Sequence, residues 1–129
     1  MNHLIMIAIG GAGGALCRYG LSNLVNNLMQ DRFSGHTFPY GTISVNIIGS
    51  LFIGIMYVLI AERMTLSPDW RNVAIVGFLG AFTTFSTFSL ETITLLENGQ
   101  LLAGLTYIVS SLILCIAATW LAIIVTRMV

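Results

Sequence analysis

Apolar residues fall into four long, charge-poor runs, at residues 4–28, 40–61, 70–96 and 100–126, and the short stretches between them hold most of the charges. About 20 apolar residues suffice for a helix to cross the hydrocarbon core of a bilayer, and each run reaches that length. Barrel strands would be about half as long and would alternate apolar with polar positions. The pattern therefore predicts an all-α membrane protein of four transmembrane helices, forming one domain over residues 1–129.

The third run departs from a plain spanning helix. It is free of charge from Asn72 to Leu90 and contains Gly77-Phe78-Leu79-Gly80-Ala81-Phe82-Thr83-Thr84-Phe85-Ser86-Thr87-Phe88-Ser89-Leu90-Glu91. Glycine costs roughly 1 kcal/mol against alanine in a helix, and threonine is also a weak helix former. These residues predict a helix broken between Gly80 and Thr84, near mid-membrane. A break frees backbone carbonyls that lipid cannot satisfy, and broken helices at the midplane are a recurring way to build ion sites. Beyond the break, Phe85 and Phe88 are three apart and share one face, as Thr84 and Thr87 share another. The plain reading is packing aromatics and hydroxyls bonded back to their own helix. The density of hydroxyls, their depth and the glycines together favour an ion pathway.

The other runs carry polar residues at helical spacing. In the first, Gly10 and Gly14 form a small-xxx-small pair suited to close helix packing. Arg18 follows about 21 Å beyond Leu4, at 1.5 Å per residue. A buried arginine faces a cavity or partner, or else snorkels to the nearer membrane surface. In the second run, begun by Pro39, the residues Thr42, Asn46, Gly49, Ser50 and Gly54 form a small and polar stripe. Asn46 either glues helices together or donates into a pathway. Ser67 or Asp69 is placed to cap the third helix, and Trp70 to mark the interface. Glu91, a carboxylate inside a span, is a functional candidate by default. In the fourth run Gly104, Tyr107, Ser111, Cys115 and Ala118 recur at threes and fours, with Ser111 near the middle. A lone hydroxyl there would normally bond to its own backbone. Counted along the helices, Arg18, Asn46, Phe88, Glu91 and Ser111 gather in the leaflet nearer the first and third loops.

Composition narrows the class. Hydrophobic residues make up 57% of the chain and charged residues 8%, against about 25% charged in soluble domains, so a soluble fold is excluded. The first run lacks a basic start and continues through Arg18, so it reads as a helix and not as a cleaved leader. Cys17 and Cys115 fall inside spans without metal-site spacing, and His3 and His36 read as interfacial. Net charge is zero without a basic cluster, which gives no basis for nucleic acid as a partner. Motifs of soluble enzymes are missing, so no residue is assigned as catalytic. Four spans place both termini and the second loop on one side of the membrane. That side carries Arg63, Arg71 and Arg127, the other carries Arg32, and the chain has no lysine. So small a bias predicts insertion in both orientations.

On these residues the chain resembles the small fluoride channels of the CrcB/Fluc family. The likeness covers the whole chain: four helices, the glycine-rich first helix ending in Arg18-Tyr19, Gly41-Thr42-Ile43-Ser44-Val45-Asn46, and above all the stretch from Gly77 to Phe88. The resemblance implies a passive fluoride channel in the bacterial inner membrane, working as an antiparallel, dual-topology homodimer in lipid. It implies a structural Na⁺ at the dimer interface, held by the backbone carbonyls of Gly80 and Thr83 from each subunit. It implies that Phe85 and Phe88 line the pore, that Asn46 is an essential donor, and that Thr42, Ser111 and Glu91 lie on the polar side of the path, with Arg18 near its mouth. Where some relatives have a hydroxyl on the fourth helix, this chain has Cys115. Two rival readings are a proton-coupled exporter like the small multidrug transporters, in which Glu91 would carry the proton, and a non-transporting membrane assembly subunit.

Overall fold

A computed structural model of the chain describes residues 2–30, 38–63 and 68–129. The expectations for Arg32, His36 and Ser67 concern residues outside these. Helix α1 is Asn2–Gln30. Helix α2 is Tyr40–Tyr57 and continues as a π-helical turn, Val58–Glu62. Helix α3 covers residues 68–82, with a π-helical middle at Asn72–Leu79. Helix α4 is Phe85–Glu97 and α5 is Leu101–Met128. Among the described residues there is no strand. Among the described residues, four rods are long and apolar enough to cross a membrane: His3–Met29, Tyr40–Glu62, Asp69–Glu97 and Leu101–Met128.

Local chemistry explains the ends. Pro39 immediately precedes α2, where its missing N–H costs nothing. Helix α4 ends in a Schellman turn. Gly99 takes φ +74°, Gly99 N–H donates to Leu96 O at 3.0 Å, and Gln100 N–H donates to Leu95 O at 2.9 Å. Asp69 lies inside the first turn of α3, and its Oδ1 pairs with His3 Nδ1 at 2.8 Å. The histidine read as merely interfacial thus ties the start of α1 to the start of α3.

The glycines of the first run work as packing residues. A β-carbon on Gly14 would strike the carbonyl of Phe78, and one on Gly10 the carbonyl of Val73. The backbones of α1 and α3 therefore touch directly, as the small-xxx-small spacing predicts. Helices α2 and α5 are joined by Thr119 Oγ1, which donates to Ser50 O at 2.9 Å. At their far ends Arg127 pairs with Glu62, and Arg63 donates to Thr126 O at 2.8 Å. The buried apolar core is small, centred on Ile43, Phe88, Leu95 and Tyr107. Large apolar side chains such as Leu102 and Ile116 stay exposed. In water that surface would be a liability; in hydrocarbon it faces a solvent as apolar as itself.

Candidate functional site

The interruption between α3 and α4 is the centre of the site. Thr83 (φ −79°, ψ 154°) and Thr84 (φ −148°, ψ 117°) are both extended. Gly80, where the sequence placed the start of the break, keeps helical angles (φ −62°, ψ −35°). The interruption is held by side chains. Thr83 Oγ1 donates to Leu79 O at 3.0 Å. Thr84 caps α4: its Oγ1 accepts from Thr87 N–H at 3.2 Å and donates to Thr87 Oγ1 at 3.0 Å. Asn46 reaches across from α2. Its Nδ2 donates to Thr84 O at 3.0 Å, and its Oδ1 accepts from Thr84 N–H at 2.8 Å.

These bonds redirect two backbone donors. In a continuous helix Thr84 N–H would serve Gly80 O, and Thr87 N–H would serve Thr83 O. Here the first goes to Asn46 and the second to the Thr84 hydroxyl. The carbonyls of Gly80 and Thr83 thereby lose their helical partners. Both are hard oxygen donors, the ligand type suited to a hard cation, so these two positions fit the Na⁺ that the sequence resemblance implies there.

Phe85 and Phe88 do share a face, with ring centroids 5.4 Å apart. Their surroundings differ: Phe88 is 9% exposed and Phe85 73%. Phe88 also packs on Tyr107, at 5.1 Å between centroids. Tyr107 is fully buried, and its O–H donates to Glu91 Oε2 at 2.7 Å. Thr42 Oγ1 donates to Glu91 Oε1 at 2.8 Å. Both carboxylate oxygens of Glu91 are thus clasped by hydroxyls from α2 and α5. The part Tyr107 plays was not read from the sequence. A signal existed, because a tyrosine and a carboxylate in neighbouring spans each need a hydrogen-bond partner away from water.

Ser111 is 5% exposed, and its Oγ is the buried side-chain oxygen that makes no hydrogen bond among the described residues. The expected bond to its own helix is not formed. Ser111 is one of the residues lining a cavity of about 410 Å³. Asn46 and Gly49 line it from α2, Gly80 from α3, Thr83 and Thr84 from the interruption, Phe85 and Phe88 from α4, and Cys115 from α5. A second cavity of about 430 Å³ is bounded by Asn26, Tyr40, Glu91, Thr94 and Asn98. Of the candidate residues, Asn46, Gly80, Thr83, Phe85, Phe88 and Ser111 meet at the first cavity. Glu91 borders the second, with Thr42 behind it. Arg18 lines neither. It lies half-buried on α1.

Together these features define a multi-pass helical membrane protein with a cavity beside a helix interruption. The family model described as "CrcB-like protein, Camphor Resistance (CrcB)" matches residues 5–123. The chain is 45% identical over 127 residues to the "Fluoride-specific ion channel FluC" of Hahella chejuensis, covering 98% of this chain and 96% of that one. It is 43% identical to the protein of the same name from Geobacter sp. (strain M21), with 98% of each covered. Another so named, from Coxiella burnetii (strain Dugway 5J108-111), is 41% identical over 126 residues, covering 97% of this chain and 98% of that one. The chain belongs to the CrcB family.

Proposed function

We propose that this chain is a fluoride-selective passive ion channel that exports F⁻ from the cytoplasm and so protects against fluoride toxicity. It is not an enzyme. The observation that carries the reading is the first cavity, where an unpartnered hydroxyl, Ser111, meets Asn46 and the two phenylalanines. The name shared by relatives at over 40% identity supports the same reading.

Fluoride is small and strongly hydrated, so a dry path must replace its water. Ser111 O–H is free to donate to it. Asn46 Nδ2 carries two hydrogens, of which one is committed to Thr84 O, which leaves the other for an anion. The positive edges of Phe85 and Phe88 offer weaker sites, and their bulk excludes water. Weak sites in series let an ion enter and also leave. Glu91, fixed by Thr42 and Tyr107, forms a constant polar wall of the second cavity. A clasped carboxylate does not suit the moving proton carrier that an exporter of the multidrug type needs. Fluoride enters as uncharged HF and dissociates inside, and the negative-inside potential then drives F⁻ out without coupling.

The assembly belongs to the same proposal: an antiparallel, dual-topology homodimer in the bacterial inner membrane. Phe85 and Gly80 are both exposed on the protomer, as residues covered by a second copy would be. Gly80 and Thr83 carbonyls of two copies would hold one Na⁺ between them. The ion would supply fixed positive charge and hold the two interruptions together.

The test is F⁻ efflux from proteoliposomes with no proton gradient, read by a fluoride electrode while the membrane potential is clamped by a potassium ionophore. Efflux set by the potential supports a channel. Efflux that requires a proton gradient would establish the exporter instead, and none at all would favour an assembly subunit.

A further inference from the structure

Thr83 is fixed at three of its groups. Its N–H donates to Leu79 O at 3.1 Å, closing the last turn of α3, and its Oγ1 donates to the same carbonyl at 3.0 Å. Its methyl, Cγ2, lies so close to Gly49 of α2 that a β-carbon on Gly49 would strike it. The same β-carbon would come within 3.3 Å of the Phe82 ring. Gly49 is buried. It lies three residues beyond Asn46, so the two share a face of α2. That face holds the interruption at two successive residues: Asn46 bonds both backbone groups of Thr84, and Gly49 admits the methyl of Thr83. The remaining polar group of Thr83 is its carbonyl, whose helical donor goes to the Thr84 hydroxyl.

We propose that Gly49 is a positioning residue of the ion site: the Thr83 methyl seats where Gly49 has no side chain, and that seat sets where the Thr83 carbonyl is presented. The nature of the ions rests on the channel and Na⁺ reading above; the placement of Thr83 by Gly49 does not.

The seat matters because Thr83 has no inexpensive way out of it. Methyl and hydroxyl are carried on one β-carbon, and threonine is stiff at χ1. Turning the methyl away from α2 carries Oγ1 off Leu79 O. Keeping that bond instead forces the whole residue away from α2, and Thr84 with it, off the Asn46 amide. Either response moves the carbonyl. Gly54, on the same helix, is tight for a different reason: a β-carbon there would strike Ala122 and the carbonyl of Thr119 on α5.

The experiment compares Gly49→Ala, Thr83→Ser and the double variant. Thr83→Ser deletes the methyl that the new β-carbon strikes and keeps the hydroxyl for Leu79 O. Two quantities are read: F⁻ efflux from proteoliposomes, and melting temperature in detergent as Na⁺ replaces N-methyl-D-glucamine. Gly49→Ala should slow efflux, and should raise the Na⁺ concentration that half-saturates stabilisation, each by about tenfold or more, as overpacking a tight contact does. The double variant should return to the values of Thr83→Ser. Gly54→Ala should lower the melting temperature without moving the Na⁺ midpoint, and Thr83→Ser should not rescue it.

Gly49→Ala protein with wild-type efflux and midpoint overturns the proposal. So does a double variant that folds and conducts no better than Gly49→Ala, or equal rescue of Gly54→Ala. A wild type that Na⁺ does not stabilise defeats the cation reading, and rescue of efflux still decides the part of Gly49. A wild type that conducts no F⁻ defeats the channel reading, and the Na⁺ midpoint decides. A wild type lacking both responses has no ion site to position, which overturns the proposal as well.

Discussion

Asn46 and Thr84 exchange two hydrogen bonds across helices: the Asn46 amide donates to the Thr84 carbonyl at 3.0 Å and accepts from the Thr84 N–H at 2.8 Å. That side chain joins two segments of the bundle, one of the two tasks that the sequence left as alternatives. It holds the interruption together, and it retains a second N–H for the cavity. Asn46→Asp keeps the acceptor, removes the donor and puts negative charge on the path. We expect F⁻ efflux to be lost, and stability to fall by about 1–3 kcal/mol for the carbonyl left without its partner. Efflux from proteoliposomes and thermal unfolding in detergent check both; a stable, conducting Asn46→Asp protein would leave the donor role without support.

Phe85 and Phe88 lie in different surroundings, so their substitutions should separate stability from conduction. Phe88→Ile removes the ring contact with Tyr107, worth about 0.5–1.5 kcal/mol. Phe85 is 73% exposed on the protomer, so Phe85→Ile should leave protomer stability nearly unchanged. Efflux should collapse in both. Wild-type rates from well-folded Phe85→Ile and Phe88→Ile proteins would mean the rings only pack.

Tyr107→Phe keeps the ring beside Phe88 and deletes only the O–H that donates to Glu91. Thr42→Val deletes the other donor at nearly constant shape. Each should cost about 1 kcal/mol and slow F⁻ efflux, and the double variant should be slower than either. Should the paired change leave efflux and melting temperature unaltered, the clasp on Glu91 plays no part in function.

The carbonyls of Gly80 and Thr83 lack their helical donors, so they should depend on a cation. Exchanging Na⁺ for N-methyl-D-glucamine throughout purification and assay should reduce efflux and loosen the dimer on size-exclusion chromatography. Restoring Na⁺ should reverse both. Full activity and an intact dimer in the large cation would argue that water or the partner chain satisfies these carbonyls.

Orientation tests the charge bias. With Arg63, Arg71 and Arg127 on one side and Arg32 on the other, both insertions should occur. A cysteine tag after Val129, in a Cys17→Ser background and probed from each side of intact cells, should report both. Labelling from one side alone would exclude an antiparallel dimer of identical chains.

Much of this protein was legible in the order of its residues. Charge-poor runs define the four spans because lipid tolerates only backbone that bonds within its own segment. Gly10 and Gly14 announce a close crossing because nothing larger leaves room for a neighbouring backbone. The weak helix formers from Gly77 to Thr87 announce an interruption, since local propensity acts through the chain itself. Tertiary structure decided where that interruption falls. Gly80 stays helical and Thr83–Thr84 open, because Asn46, 38 residues earlier in the chain, supplies the bonds that replace the helical ones. The clasp of Glu91 by Thr42 and Tyr107 joins α2, α4 and α5. Ser111, whose hydroxyl has no partner among the described residues, lines the same cavity as Thr83 and Thr84 only because α5 packs beside the interruption. Hydrogen bonds between distant segments are set by how whole helices pack, and residue spacing along one helix carries no record of which partner will arrive.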